Sequence, residues 1–342
     1  MLLSARGKIM PNLITHYLCG IDVQKTIKNK ELRDFISKNQ NIYNLGTQGP
    51  DVLFYYRIFP WTPKPLISNV GQEMHAKKVG KVFNSFFDYL VQQPENIKNM
   101  LCAYFMGFVC HNCLDSITHP YIFYKTGFLK KGERKTFRYA YYHHRFETNL
   151  DVILLKEKLG ITPQQLKPGC KIDVAAPVAS NIGKLYEFVL KKVYDYNIPG
   201  KHLAASIKDM IMTQKVLHDP TGILKKVITP VERLILKYPV VAATIFPKAV
   251  NDDIDYMNDH HNVWYKPFDI RKPHTESFKD LYNQAVTKTT ELLEVLYHAL
   301  YKDSSVISNA LQLIGNNSYT SGMDSDKEYE FKYHDIVFSD II

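Results

Sequence analysis

The chain has 342 residues, of which 45% are hydrophobic and 23% charged, so it can bury a substantial core like an ordinary globular protein. The net charge of +9 favours an anionic partner, such as a phosphate ester, a phospholipid headgroup or a nucleic acid. Five dispersed cysteines exclude a secreted disulfide framework, and the longest apolar run, Leu101–Cys110, is about half of the ~20 residues that a membrane span needs. The first ten residues lack the apolar core of a signal peptide, so we expect no transmembrane segment and a reducing, cytoplasmic location.

The apolar residues follow a helical period through most of the chain, after short helices and loops in residues 1–70. A first helix is predicted from Gly71 to about Leu90, and a buried helix over 95–119 that Pro120 should end. A further helix should run from about Arg134 to Leu159 and stop at Gly160. Additional helices are predicted at 176–196, 200–218, 223–238 and 275–302.

Alternating patterns typical of strands are scarce, and no repeat or linker divides the chain. The prediction is therefore an all-α fold, a multi-helix bundle with one helical domain over 1–315. Within that domain the metal ligands should lie in 10–155, and helices at 170–315 should complete the bundle. Residues 316–342 are polar, and we expect them to form a loosely held C-terminal tail or an edge segment.

Three polar residues stand at four-residue intervals in the most apolar of these helices: His111, Asp115 and His119. That spacing turns a helix by only about 40° per step, so all three side chains point from one face. A charged aspartate is costly among apolar residues unless it is paired or binds a metal. Imidazole nitrogen and carboxylate oxygen are the usual zinc ligands where thiolates are not used. The pattern predicts a metal site.

A second stripe lies on the following helix, where His143 and Glu147 are four residues apart and Asp151 continues the line. Asp151 is interpreted either as a hydrogen-bond partner of a ligand histidine or as a solvated aspartate. His144 is an alternative ligand from the neighbouring edge. One histidine and one carboxylate at this spacing are common on solvated helix faces, but two stripes on successive helices are much rarer. Two such helices can enclose a metal cluster, as in other helix bundles.

These segments resemble the zinc-dependent phospholipase C family, which is distantly related to the single-strand-specific zinc nucleases and shares their three-zinc cluster. The resemblance rests on Cys110–Pro120 and His143–Glu147, with supporting elements at Pro11–His16, Gly49–Asp51 and Met74-His75. It implies a phospholipase C-like bundle with its metal cluster in a cleft.

The resemblance also implies a ligand set of eight residues. One zinc would use Asp51, His75, His111 and Asp115, a second His119, His143 and Glu147, and a third His16 with the shared Asp115. In secreted relatives the amino group of an N-terminal tryptophan completes the third site. No tryptophan lies near the start of this sequence, so we expect two or three zinc ions.

The implied chemistry is hydrolysis of a phosphate ester by a zinc-activated hydroxide, with Asp51 both as ligand and as the catalytic carboxylate that orients or deprotonates the water. Phospholipid at a membrane surface is the first choice of substrate. The alternatives are a nuclease or nucleotide phosphohydrolase on the same cluster, and a zinc-binding interaction protein without turnover.

Three other features have competing interpretations. The aromatic run Phe54–Trp61 either flanks the mouth of the site or packs in the core. Cys110 and Cys113 form a Cys-x2-Cys spacing, yet no second pair exists to complete a structural zinc site, so both are predicted to be small core residues. The stretch Asp259-His260-His261 should line the cleft or the surface rather than bind a catalytic metal.

Overall fold

The computed structural model describes residues 13–58, 69–130, 132–250 and 253–338 of the chain. These residues form a helical bundle, which confirms the all-α prediction. The helices are α1 Leu13–Thr26, α2 Lys30–Lys38, α3 Gln40–Gly46, α4 Val70–Ala76, α5 Val79–Leu90, α6 Glu95–Thr126, α7 Phe137–Leu159, α8 Pro163–Leu166, α9 Pro168–Lys171, α10 Ala176–Tyr194, α11 Gly200–Val216, α12 Ile223–Leu236, α13 Val240–Ala243, α14 Phe278–Tyr301 and α15 Ile307–Ile314. Short 3-10 helices span Gly49–Tyr55, Arg134–Thr136 and Ser304–Val306, and two strands, β1 Trp264–Lys266 and β2 Asp269–His274, pair as an antiparallel hairpin.

The longest helix, α6, forms the centre of the core. Every residue from Leu101 to Ser116 is buried, and the helix is packed by α1, α3, α7 and α14. A helix that is apolar on all faces belongs in a protein interior or a membrane. By length and composition α6 is the one described helix that could cross a membrane, but 89% of its most apolar window is buried inside the protein. We therefore interpret α6 as a core helix of the protein.

The sequence predicted that Pro120 ends this helix, and that prediction is wrong. The helix continues to Thr126 and ends at Gly127, whose φ of +75° suits glycine. Proline removes one backbone hydrogen bond and crowds the preceding turn. The turn is nevertheless buried, and the ring of Tyr121 packs at 5.4 Å against that of Trp264 from the hairpin. Tertiary packing outweighs the local cost of the proline.

The helix predicted over 71–90 is divided into α4 and α5. The helix is interrupted before Val79, where Lys78 adopts a left-handed conformation with φ of +57°. The first free N–H groups of α5 then bond to the C-terminal part of the chain, Val79 N to Ser325 Oγ at 2.9 Å and Gly80 N to Asn316 Oδ1 at 2.7 Å. Distant capping groups stabilise this helix start, which the local pattern did not reveal.

The later helices follow the sequence prediction. Helix α7 ends at Leu159, and Gly160 takes the predicted left-handed C-terminal position with φ of +67°. Helices α10, α11, α12 and α14 differ from the predicted bounds by a few residues at their ends. One cluster of buried hydrophobic side chains extends from Leu13 in α1 to Phe338. The predicted domain bounds, 1–315 and 316–342, stay a prediction.

Residues 316–325, which we call the C-terminal clasp, are not loosely held as the sequence suggested. Their polar groups bond to one another, including Ser318 N to Met323 O at 2.8 Å and Ser325 N to Asn316 O at 2.8 Å. Tyr319, within this loop, is only 1% exposed. Internal hydrogen bonding allows a polar segment to pack against the core, because its backbone groups no longer need water.

Candidate metal centre

Three side chains of α6 meet in one buried space, on the face that the spacing predicted. Nε2 of His111 lies 3.1 Å from Oδ2 of Asp115, and Nδ1 of His119 lies 3.6 Å from the same oxygen. None of the three side chains is more than 1% exposed. Helical periodicity alone therefore placed this stripe correctly.

Helix α7 brings the second stripe to the first. Nε2 of His143 lies 3.1 Å from Oε1 of Glu147, and Nε2 of His119 in α6 lies 3.3 Å from the same oxygen. Glu147 thus joins the two helices. The sequence left His143 and His144 as alternatives; His143 belongs to this group, while His144 lies on the wall of the adjoining cavity.

His16 reaches the cluster from α1. Its ring stacks on that of His111 with centroids 4.1 Å apart, and its Nε2 lies 3.2 Å from Oδ1 of Asp115. Asp115 therefore has histidine nitrogens near both of its carboxylate oxygens. This is the contact expected of a residue shared between sites.

Asp151 holds the start of α1 in place. Its carboxylate accepts hydrogen bonds from Ile14 N at 3.2 Å and from Thr15 N and Oγ1 at 2.7 and 2.5 Å. The sequence suggested either a solvated aspartate or a partner of a ligand histidine, but the side chain is fully buried and its described bonds all go to α1. It thereby positions His16 through the helix backbone.

Asp51 and His75 close the other side of the cluster. Oδ1 of Asp51 lies 2.9 Å from Nε2 of His75 and 4.0 Å from Nε2 of His111. The 3-10 helix that carries Asp51 begins at Gly49, with φ of +50°. A Cβ atom at Gly49 would lie 2.3 Å from the His111 ring, so only glycine allows this close approach.

All eight side chains predicted as ligands are brought together. Their ligand atoms form three groups in which every atom lies within 4.8 Å of the others: His16, Asp51 and His111; His75, His111 and Asp115; and His119, His143 and Glu147. The last group is the trio that the resemblance assigned to one zinc. The first two share His111, so the remaining five side chains form one continuous cluster.

Backbone carbonyls orient three of the imidazoles. The bonds join Nδ1 of His75 to Gly71 O at 2.6 Å, Nδ1 of His111 to Thr47 O at 2.9 Å and Nδ1 of His119 to Tyr319 O at 2.9 Å. A carbonyl only accepts, so each of these Nδ1 atoms carries a proton. Nε2 of His75 and of His111 faces the cluster without a hydrogen-bond partner, whereas Nε2 of His119 is hydrogen-bonded to Oε1 of Glu147. Metal-binding histidines are commonly held this way.

Buried polar atoms without a hydrogen-bond partner are concentrated in this cluster, among the residues that the structure describes. Those in the cluster are Nδ1 of His16, Oδ1 of Asp51, Nε2 of His75, Nε2 of His111, both carboxylate oxygens of Asp115 and Oε2 of Glu147. Short distances such as the 2.9 Å between His75 and Asp51 lack hydrogen-bond geometry. Facing lone pairs in a buried space are costly, and divalent cations between them would remove that cost. Nitrogen and carboxylate donors fit zinc.

The charges of the cluster stabilise ionised carboxylates. Burial alone would raise the pKa of Asp115, but the neighbouring imidazoles of His119, His111 and His16 hold it well below its usual range. Burial would also raise the pKa of Glu147, but the imidazoles of His143 and His119 lower this pKa below its usual range. Burial lowers the pKa of His119, yet Asp115 and Glu147 outweigh it and raise that pKa to about 9. The negative charges needed to bind cations are thus present at neutral pH.

A cavity of about 620 Å³ opens onto the cluster, with His75, His119 and His143 in its wall. Phe54 also lines it, stacked on His75 with centroids 5.3 Å apart, whereas Tyr55 and Tyr56 are buried in the core. The described part of the aromatic run therefore divides between the two interpretations. The end of that run, from Phe59, lies outside the described residues. Residues of the C-terminal part, Thr320 and 329–331, complete the wall, which the sequence did not predict.

The other candidates lie apart from the cluster. Cys110 and Cys113 are buried free cysteines, as predicted for small core residues. His260 and His261 are exposed and belong to none of the described ligand groups. Tyr319 was missed, because its contribution is a backbone carbonyl and no side-chain pattern signals it.

Comparison with known proteins agrees with this geometry. The family model of zinc-dependent phospholipase C matches residues 15–198, more than half of the chain and a segment that contains all eight candidate ligands. No curated protein and no solved structure matches the chain. The match and the buried donor clusters together support zinc binding. The chain belongs to the zinc-dependent phospholipase C family.

Proposed function

We propose that the protein is a zinc-dependent phosphodiesterase of the phospholipase C type that cleaves a phospholipid. The observation that carries this proposal is the cluster of buried imidazole and carboxylate atoms without hydrogen-bond partners, which adjoins a cavity large enough for a headgroup and part of its alcohol. Three histidines of the proposed site, His75, His119 and His143, line that cavity. Burial of so many ionisable groups costs stability, and groups of this kind are concentrated at functional sites.

The proposed ligands form two ends of one site. His119, His143 and Glu147 would hold one zinc, and the five-residue cluster of His16, Asp51, His75, His111 and Asp115 would hold one or two more. Bound zinc would supply a water of lowered pKa and positive charge opposite the phosphate oxygens.

Asp51 is proposed as the catalytic carboxylate. It is 4% exposed, and the 3-10 helix with Gly49-Pro50 at its start holds it in a fixed direction. A carboxylate held rigidly beside the reacting water can orient it and accept its proton. Asp51 would thus act both as ligand and as base.

The cavity wall favours a lipid over a nucleic acid. Phe54, Phe123, Phe128 and Phe331 line it, and an apolar wall suits the glycerol and acyl carbons of a leaving diacylglycerol. Its described charged residues besides the histidines are Lys130, Glu133 and Glu330. One lysine against two glutamates does not favour a polyanionic backbone.

The test combines metal content with turnover. Elemental analysis should find zinc, and the protein should hydrolyse both a chromogenic phosphodiester and micellar phospholipid until a chelator removes the metal. Asp51→Asn should abolish turnover, whereas Asp88→Asn at a half-exposed surface position should not. Zinc without turnover on either substrate would contradict the proposal, and cleavage of single-stranded DNA in preference to lipid would assign the nuclease function instead.

A further inference from the structure

Helix α12 presents an apolar face to solvent. The exposed residues Ile223, Val227, Val231, Leu234 and Ile235 are three, four or one apart, and so share one side of the helix. Leu234 is 88% exposed and Ile235 70%. These five are a third of the 15 large hydrophobic side chains exposed in the described part of the chain, although α12 has only 14 residues. Such a concentration marks an interaction surface.

The polar side of α12 faces the protein, the reverse of an ordinary amphipathic helix. Nζ of Lys225 donates to Ile245 O at 2.8 Å, and the carboxylate of Glu232 accepts from Val241 N at 2.9 Å and Ala242 N at 2.7 Å. These hydrogen bonds, one buried and two partly buried, fix the rotation of the helix about its axis. The apolar stripe is therefore held outward by specific contacts.

The exposed charges around the stripe are positive. Lys226, Arg233 and Lys237 are exposed, and no described carboxylate lies within ion-pair distance of them. The only acidic residue of the helix is Glu232, which is buried and bonded to the backbone. Between residues 221 and 250 the sequence has five Lys or Arg residues and this single glutamate.

We propose that α12 docks the protein onto an anionic phospholipid surface, with its apolar stripe among the acyl chains and its basic residues at the headgroups. An apolar face bordered by lysine and arginine is the composition of helices that lie in a membrane interface. Anionic headgroups attract each basic residue near the surface. A second copy of the chain fits less well, because symmetric pairing would bring the positive borders together.

Helix α12 is connected to the proposed metal centre through packed helices, but docking does not require the metal centre to be active. Helix α12 packs on α13, and α13 packs on α7, where Oγ1 of Thr148 donates to Ala243 O at 2.8 Å. Thr148 directly follows the proposed ligand Glu147 on α7. The inference goes beyond the proposed hydrolase function, since docking requires no turnover.

The experiment uses vesicles that the proposed enzyme cannot hydrolyse. Vesicle sedimentation would measure binding of the full-length, zinc-loaded protein. Binding to neutral galactolipid vesicles would be compared with binding to galactolipid vesicles that also contain about one-third anionic sulfolipid. We expect binding to the anionic vesicles that weakens with salt. The double substitution Leu234→Glu with Ile235→Glu should weaken it at least ~10-fold. Lys226→Glu with Arg233→Glu should weaken it about fivefold for each residue changed.

Matched variants separate the helix from general surface effects. Val263→Glu with Ile270→Glu changes two exposed apolar residues elsewhere, and Lys201→Glu with Lys272→Glu makes the same change in net charge away from α12. Both pairs should bind like the wild type, and the thermal midpoints of all variants should agree. Failure of the wild type to bind, or equal binding by the Leu234 and Ile235 variant, would overturn the proposal. Self-association that the same variant abolishes would assign the face to a second copy instead.

Discussion

The backbone carbonyl of Tyr319 accepts a hydrogen bond from Nδ1 of His119 over 2.9 Å, although the two residues are 200 positions apart. The N–H of Tyr319 donates to the carbonyl of His75 at 2.9 Å, and its ring packs 5.0 Å from the His75 ring. Tyr319 lies outside the segment 15–198 that matches the family. The clasp therefore orients two proposed ligands from a part of the chain that the family match does not cover.

Displacing the clasp should weaken zinc binding. Gly322 has φ of +67°, and a Cβ atom there would lie 2.1 Å from Ser116 O, so Gly322→Ala must move the loop away from α6. Loss of the support to His119 should reduce zinc affinity about 10- to 100-fold, measured by competition with a chromophoric chelator. Gly160→Ala is the matched control, because its φ is also +67° but nothing lies within 4 Å. Equal affinities in the two variants would contradict a supporting role for the clasp.

Substitution of the adjacent residues His143 and His144 should have different effects on the zinc content of the protein. Nε2 of His143 lies 3.1 Å from Glu147, so His143→Ala should lower the number of zinc ions found by elemental analysis. His144→Ala should keep the full number, because His144 belongs to none of the described ligand groups. The reverse order of effects would show that the ligand assignment on α7 is wrong.

Removal of the metal should destabilise the fold. Without cations, both carboxylate oxygens of Asp115 and Oε2 of Glu147 are buried without a hydrogen-bond partner. Chelation should lower the thermal midpoint by at least about 5 °C, since a ligand that binds only the folded state stabilises it. Differential scanning calorimetry with and without added zinc provides the measurement. An unchanged midpoint, in protein shown to have lost its zinc, would argue against metal sites in the core.

Asp151 should make stability depend on pH. Burial raises its pKa to about 8, helped by the charge of Glu147 and opposed by the hydrogen bonds from Thr15 and Ile14. The unfolded chain titrates near the ordinary value of about 3.9, so between about pH 4 and pH 8 the folded state holds a proton that the unfolded state has lost. The contribution of Asp151 to the free energy of unfolding therefore falls as pH rises through that range.

The substitution Asp151→Asn removes this titration. The free energy of unfolding of the wild type, relative to the variant, should decline between about pH 5 and pH 8 in urea titrations. Asp173→Asn, at an exposed position, is the control for the loss of one surface carboxylate. Parallel profiles for Asp151→Asn and the wild type would show that Asp151 keeps an ordinary pKa in the folded protein.

Much of the helical framework was predictable because helix formation depends on neighbouring residues. The stripe of His111, Asp115 and His119 needed only a period of 3.6 residues, and Gly160 marked the end of α7 by its backbone freedom. The errors occurred where distant contacts compete with local preference. Pro120 lies inside α6 because its turn is buried, and α5 begins at Val79 because Ser325 and Asn316 cap it.

By itself the sequence indicated candidate metal ligands, and helical spacing indicated which faces of α6 and α7 present five of them. Only the tertiary structure decided that Asp151 anchors α1, that the clasp carbonyl of Tyr319 holds His119, and that α12 turns its apolar stripe outward. The physical reason is the range of the interactions. A side chain's direction on a helix follows from the few residues around it, whereas these hydrogen bonds join elements whose relative positions depend on the packing of the whole core.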